Sequence, residues 1–342
     1  MIATLFFLFA SLIIISLFSF KINFIKRILF VLLGVIFILI AGFRGDNVAN
    51  DYGVYMDYWG YRTITDAVEV SFIWIKSFLK NYLEVSHLYL FLTYAFFGVT
   101  AKFYAIDKLS KHVFLALLVY LSHFYILHEL TQIRIGAASG FFLIAVYYRL
   151  QKQYKACLLF LLIAIFFHYS SFVGIIILVL NDKKIKYFYF LVPLGYVLYY
   201  FNNQFNISIP IPYFQSKLEA YKEMKKYGLN DSDQINVFNF VFLVRILILY
   251  LFFLRAKAIS EYYPHVYTFI KIYSISLFSF LFLADIPAFS FRIQEFFGVI
   301  EIILLPCLVY AFPKKTYGKI IVVFIALGFL LIDLYYNKYV FN

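Results

Sequence analysis

Apolar runs recur from one end of this chain to the other, and no soluble core can absorb them. They fall at 3–20, 27–43, 86–106, 113–128, 133–149, 156–181, 187–201, 237–254, 267–284, 296–312 and 319–337. Most approach the roughly 20 residues that a helix needs to cross the hydrocarbon of a bilayer. The runs are continuous and lack the alternation of a barrel strand, so they predict helices that satisfy their own backbone groups in lipid. Of 342 residues, 64% are hydrophobic and only 14% charged, where a soluble domain carries about a quarter charged. The expected fold is an all-α polytopic membrane protein with about eleven or twelve transmembrane helices. It forms a single multi-pass domain over 1–342, without a soluble domain, repeat or low-complexity tail. The first run lacks a basic flank and a small-residue cleavage site, so it reads as the first membrane helix.

The net charge of +12 would suggest nucleic acid in a soluble protein. Here it reads as topogenic, because lysine and arginine in short loops set membrane orientation, and no nucleic-acid partner is expected. The bilayer itself is the first partner. Basic residues cluster after the first, third, fifth, sixth and eighth runs and before the last: Lys21, Lys26, Arg27; Lys108, Lys111; Arg149, Lys152, Lys155; Lys183, Lys184, Lys186; Arg255, Lys257; Lys314, Lys315, Lys319. All of these loops are cytoplasmic at once only if 156–181 crosses an even number of times. At 26 residues it is too short for two full spans, each half reaching only about 18 Å at 1.5 Å per residue. The polar group His168-Tyr169-Ser170-Ser171 stands at its centre. The sequence therefore predicts two short half-helices meeting at His168, the alternative being one long tilted helix that breaks the charge rule. The acids lie mostly on the other side, with long extracytoplasmic loops at 44–85 and 202–236. Within the first of these, Val68 to Lys80 is amphipathic and is expected to lie along the membrane surface.

The polar residues that depart from this background fall into a few groups. Arg44 ends the second run and is followed by Asp51, Tyr52 and Tyr55, carboxylate and rings suited to sugar hydroxyls and pyranose faces, although an interfacial arginine can simply snorkel. Gln132 and Arg134 open the fifth helix, ahead of Gly136, Ala137, Ala138, Ser139 and Gly140, whose small side chains permit close helix approach. Packing accounts for the glycines but not for a guanidinium, whose fork matches phosphate oxygens. His168 is either a satisfied core group or a functional one at a helix break. Arg292 and Glu295 are three apart and can share a helix face as a plain ion pair. Arg245 and Glu301 are charges within apolar helices, functional candidates by default. Asp231-Ser232-Asp233 is a weak metal pattern, and no zinc, nucleotide or nucleophile-elbow motif occurs. Cys157 and Cys307 lie in apolar runs as packing residues.

In order, Arg44-Gly45, Asp51-Tyr52 and Tyr55, Glu69-Val70-Ser71-Phe72, Gln132-Ile133-Arg134, Phe167-His168-Tyr169-Ser170-Ser171 and Arg292 make a chain that resembles the EpsG-like/Wzy family of bacterial polysaccharide polymerases. The blocks span about 44–300. The spacer Asp46 to Asn50 separates Arg44-Gly45 from Asp51, the corresponding acidic position. The resemblance implies an enzyme, a glycosyltransferase of the bacterial inner membrane with its site facing the periplasm. Its partner would be an undecaprenyl-diphosphate-linked oligosaccharide repeat unit, and the product an O-antigen, capsule or exopolysaccharide. It also implies a likeness to lipid-phosphosugar-dependent, GT-C-like glycosyltransferases, and work alongside a chain-length regulator and a flippase.

That chemistry asks for charge stabilisation of a departing diphosphate, for which Arg134 and Arg292 come first and Arg44 and Arg245 second. It asks for a base on the attacking hydroxyl, where His168, Glu295 and Asp51 compete. Tyr52, Tyr55 and Gln132 complete the expected substrate contacts. No cofactor and no divalent metal is expected, because arginines can take the charge. The rival readings are a lipid-linked oligosaccharide flippase, which should show repeats and midplane sites, a ligase and a membrane O-acyltransferase.

Overall fold

The computed structural model describes residues 1–17, 22–45, 48–49, 51–60, 68–183, 185–205 and 235–340. The described residues are helical throughout, joined by turns, with one isolated antiparallel bridge between Ala49 and Val340. Among the described residues, six helical runs are long and apolar enough to cross a membrane: Asn23–Gly42, Leu88–Leu109, Val113–Thr131, Ile133–Leu150, Pro287–Tyr310 and Lys315–Tyr336. Four further apolar helices, Ile2–Leu17, Tyr154–Phe167, Tyr169–Leu178 and Val266–Phe282, are shorter. The chain is thus an all-α polytopic membrane protein. It divides into two compact units, Met1–Val179 with Glu301–Asn342, and Leu180–Ile300.

The first unit begins with α1 (Ile2–Leu17) and α2 (Asn23–Gly42). Two short helices follow, α3 (Tyr52–Gly60) and α4 (Val70–Ser77), the latter continuing as one π-helical turn to Tyr82. Next come α5 (Leu88–Leu109), α6 (Val113–Val119) running on as a π-helix over Tyr120–Thr131, α7 (Ile133–Leu150) and α8 (Tyr154–Phe167). A π-helix closes its hydrogen bonds five residues apart, so Tyr120 and Tyr125, and likewise His123 and His128, share a face.

Helices α5 and α7 pack closely because small residues line their contact. A Cβ built on Gly140 would stand 2.8 Å from Ala101 Cβ, and one on Gly98 would collide with the Glu129 carboxylate. Gly98→Ala therefore has to displace a buried carboxylate. Overpacking of this kind costs about 1–3 kcal/mol, and a lowered unfolding midpoint of the purified protein in detergent is expected.

The sixth apolar run is broken where the sequence places the break. His168 is extended (φ −156°, ψ 118°) between α8 and a 3₁₀ helix, Tyr169–Leu178. Its N–H donates to Ala164 O at 2.9 Å and its carbonyl accepts from Ser171 N at 3.0 Å, so one residue ends the first half-helix and starts the second. At about 1.5 Å and 2.0 Å per residue the halves reach roughly 21 Å and 20 Å. They pack against each other. Arg149, just before α8, donates from Nε to Ile177 O at 3.2 Å and Leu178 O at 3.3 Å, at the far end of the second half. The segment thus returns to the side from which it enters, as the charge rule requires, and His168 is its tip.

The amphipathic stretch at 68–80 is helical but faces partly inward. Phe72 and Leu79 join a core with Tyr55, Phe91, Tyr94 and Phe167, while Trp74 and Phe78 stay exposed. Cys157 and Cys307 are buried free thiols.

The second unit holds α9 (Leu191–Phe205), α10 (Phe240–Ser260), α11 (Val266–Phe282) and α12 (Pro287–Gly298). Asn239 caps α10 by accepting from Phe242 N at 2.9 Å, and Pro287 starts α12 at a position where its missing N–H costs nothing. Helix α12 therefore begins nine residues before the apolar run that starts at 296, and Arg292 and Glu295 are helical. Back in the first unit, α13 (Glu301–Leu304) leads into a 3₁₀ helix to Tyr310, and α14 (Lys315–Leu331) closes the described fold with a π-turn to Tyr336.

Candidate active site

Glu69 immediately precedes α4 and is 3% exposed. A lone carboxylate buried there would be costly, and two partners from distant elements relieve the cost. Arg134 Nη1, from the first turn of α7, donates to Glu69 Oε2. His168 Nδ1, from the tip of the re-entrant pair, meets Glu69 Oε1. The tip is fixed further by Val70 N–H, which donates to Tyr169 OH at 3.3 Å. Burial works to raise the Glu69 carboxyl, but the hydrogen bond from His168 and the charge of Arg134 outweigh it and hold the group below its ordinary value of 4.5.

Aromatic rings build the surround. The Arg134 guanidinium lies 5.8 Å from the Phe72 ring centre and 5.9 Å from that of Tyr58. The Tyr55 hydroxyl also lies within electrostatic reach of that guanidinium. Burial raises the Tyr55 phenol, with Arg134 and Arg44 pulling the other way. Arg134 keeps 18% of its side chain exposed, so part of its donor fork remains open.

A second cluster of charge lies in the same unit. Lys102, fully buried on α5, donates to Glu129 Oε1 at 2.7 Å and to Gly136 O at 2.6 Å. Tyr120 OH donates to the same Glu129 oxygen at 2.9 Å. Arg44 Nη1 donates to the Glu129 backbone carbonyl at 2.7 Å, and its guanidinium sits 3.9 Å from the Phe91 ring centre. Burial pulls Arg44 down to about 10, which leaves it charged at neutral pH. Its Nε and Nη2 have no hydrogen-bond partner.

The sequence-derived candidates therefore separate. Arg134, His168 and Tyr55 come together around Glu69, and Arg44 is within electrostatic reach of Tyr55. Tyr52 is buried, stacked 5.5 Å from Phe91, with its hydroxyl 3.2 Å from His87 Nε2. Asp51 is half-buried at the start of α3, its carbonyl accepting from Tyr55 N at 3.2 Å. Gln132 is the joint between the π-helix and α7, its N–H donating to Leu127 O at 2.8 Å and its carbonyl accepting from Gly136 N at 2.9 Å. Arg245, Arg292 and Glu295 belong to the second unit. Arg245 and Glu295 are buried, whereas Arg292 is exposed. Among the described residues Arg292 makes no ion pair, so a plain Arg292–Glu295 bridge is not formed. Asp231, Ser232 and Asp233 lie outside the described residues, as do Asp46, Asn47 and Asn50.

Glu69 and Lys102 are absent from the sequence-derived site. A lysine inside an apolar helix was a legible signal for Lys102. For Glu69 the only sequence signal is its place at the head of the Glu69-Val70-Ser71-Phe72 block.

The chemistry of the cluster follows from its valences. An ionised carboxylate can only accept, so His168 Nδ1 carries the hydrogen, and in the neutral ring Nε2 is then an acceptor. That nitrogen is buried without a partner. A carboxylate that fixes the imidazole tautomer and leaves the far nitrogen open is the arrangement of a general base.

Fold and site together define a polytopic membrane protein with an interior arginine–carboxylate–histidine cluster at a re-entrant tip. The chain belongs to the EpsG family, whose profile matches residues 27–342. This membership supports a polysaccharide-polymerase-like role in general. No curated protein and no solved structure matches the chain.

Proposed function

We propose that the protein is a bacterial inner-membrane glycosyltransferase that joins undecaprenyl-diphosphate-linked oligosaccharide repeat units on the periplasmic face. The observation that carries this reading is the joining of Arg134 to His168 through Glu69, which pairs a phosphate-matched cation with a positioned base. An acceptor hydroxyl gives its proton to His168 Nε2 as its oxygen attacks the anomeric carbon of the growing chain. The bond from that carbon to the diphosphate oxygen breaks, and the electron pair leaves with the lipid diphosphate. Arg134 stabilises the charge that develops there. His168 is preferred to Asp51 and Glu295 as the base because a carboxylate orients it and its second nitrogen has no other partner.

Deletion of the gene in its host, with surface glycan resolved on gels, tests this reading. Loss of polymer with single repeat units still transferred to their final acceptor is expected. Complementation with Arg134→Ala should fail to restore the ladder at normal protein level, and Arg292→Ala tests the exposed arginine of the second unit independently. Polymer accumulating on its lipid carrier would indicate ligation, and repeat units trapped on the cytoplasmic side would indicate a flippase. A normal ladder in Arg134→Ala would remove the proposed site.

A further inference from the structure

Around the Glu69 cluster the protein leaves an unusual group of buried polar atoms without hydrogen-bond partners. They include His168 Nε2, Ser71 Oγ, Tyr94 OH and Ser171 Oγ, with Ser170 Oγ next to the last on the tip. Ser71, Tyr94 and Ser171 are completely buried and His168 is 9% exposed. They come from α4, α5 and the re-entrant tip, yet they are neighbours. Tyr94 OH lies beside Ser71 without full hydrogen-bond geometry, and within electrostatic reach of Glu69 and Arg134. Its ring packs 6.1 Å from Phe72 and 5.8 Å from Phe167, the residue before His168. Ser171 N–H binds the His168 carbonyl.

Folded proteins leave few such groups unsatisfied, because each buried donor or acceptor without a partner is destabilising. These four groups, on α4, α5 and the re-entrant tip, are polar chemistry that the fold itself does not use. Three hydroxyls and an imidazole nitrogen among aromatic walls match a ligand with several hydroxyls and an apolar face, which is the chemistry of a pyranose. Charged phosphate would sit poorly there, because none of the four groups is a cation and the Glu69 carboxylate is adjacent.

We propose that Ser71, Tyr94 and Ser171 form the subsite for the acceptor sugar, the non-reducing end of the incoming repeat unit, and present its attacking hydroxyl to His168 Nε2. This rests on the polymerase reading and adds to it the location of one of the two substrates. The three hydroxyls bind and orient, and His168 alone touches the proton in transfer.

The test uses the purified full chain in detergent and, as probe, the host's repeat-unit oligosaccharide freed from its lipid diphosphate. Both tryptophans, Trp59 and Trp74, lie on the two short helices beside the site, so intrinsic fluorescence reports binding. The wild type should bind saturably. Ser71→Ala, Tyr94→Phe and Ser171→Ala, which delete hydroxyls and keep the packing, should each raise Kd about tenfold, equivalent to about 1.4 kcal/mol. Tyr104→Phe, which removes an exposed hydroxyl from the same helix as Tyr94, should leave Kd unchanged. Unaltered Kd in all three variants, or no binding by the wild type, overturns the subsite. That failure is distinct from failure of the polymerase reading, which depends on the ladder in Arg134→Ala.

Discussion

Glu69→Gln should reduce polymerisation as severely as loss of His168 itself, about 10²–10⁴-fold, although Glu69 need not touch substrate. A carboxylate accepts from both partners at once. A glutamine amide offers one acceptor and one donor, so it can satisfy Arg134 Nη1 or His168 Nδ1–H but not both. If the amide nitrogen faces the ring, Nδ1 must become the acceptor and the hydrogen moves to Nε2, which removes the base. Initial rates with lipid-linked repeat units would measure the loss, and Glu69→Asp, which keeps two acceptor oxygens, should recover part of it. A pH signature separates this from a general packing defect. The Glu69 carboxyl is depressed in the folded chain, so its contribution to stability is complete above its ordinary value of 4.5 and is lost as pH falls below it through the folded value. The wild-type unfolding midpoint should fall across that acidic range, and Glu69→Gln should lack this component. A Glu69→Gln protein with wild-type rate would show that the tautomer is set by something else.

Lys102→Met should destabilise the first unit by about 3–5 kcal/mol, the usual consequence of removing one partner from a buried pair. Lys102 is fully buried and Glu129 is 1% exposed, so the substitution strands a carboxylate with the Tyr120 hydroxyl as its remaining side-chain donor among the described residues. The loss extends beyond the pair. Lys102 also donates to Gly136 O, and Glu129 carries Arg44 on its backbone carbonyl, so the junction of α2, α5 and α7 depends on one ammonium group. Adding Glu129→Gln to Lys102→Met removes the stranded charge and should restore much of the stability. Unfolding midpoints of the single and double variants in detergent check both statements. A Lys102→Met protein as stable as the wild type would contradict them.

The features legible in the sequence are those with a local physical cause. The break at His168 could be read because basic residues flank both ends of a run too short for two spans, with one polar group at its centre. A close helix approach along α7 could be read from Gly136 and Gly140, but not its partners, which are the π-helix at His128 for Gly136 and α5 for Gly140. The pairing of Arg134 was not legible. Glu69 lies 65 residues from Arg134 and 99 from His168, and no periodicity connects positions so far apart. The start of α12 at Pro287 was missed because its first turns are not continuously apolar. The π-helix at Tyr120–Thr131 also escaped, because its residues read as an ordinary apolar helix, and the alignment of His123 with His128 emerges only from the wider turn.

On the proposed function, this chain polymerises lipid-linked repeat units through the Arg134–Glu69–His168 cluster. The most direct test is reconstitution of the purified protein in lipid vesicles with undecaprenyl-diphosphate-linked repeat units from its host, followed by gel analysis of the glycan. The wild type is predicted to convert single units into a ladder, and His168→Ala, reconstituted as folded protein at the same amount, to leave them as single units. No ladder from the wild type, or an undiminished ladder from His168→Ala, would contradict the claim.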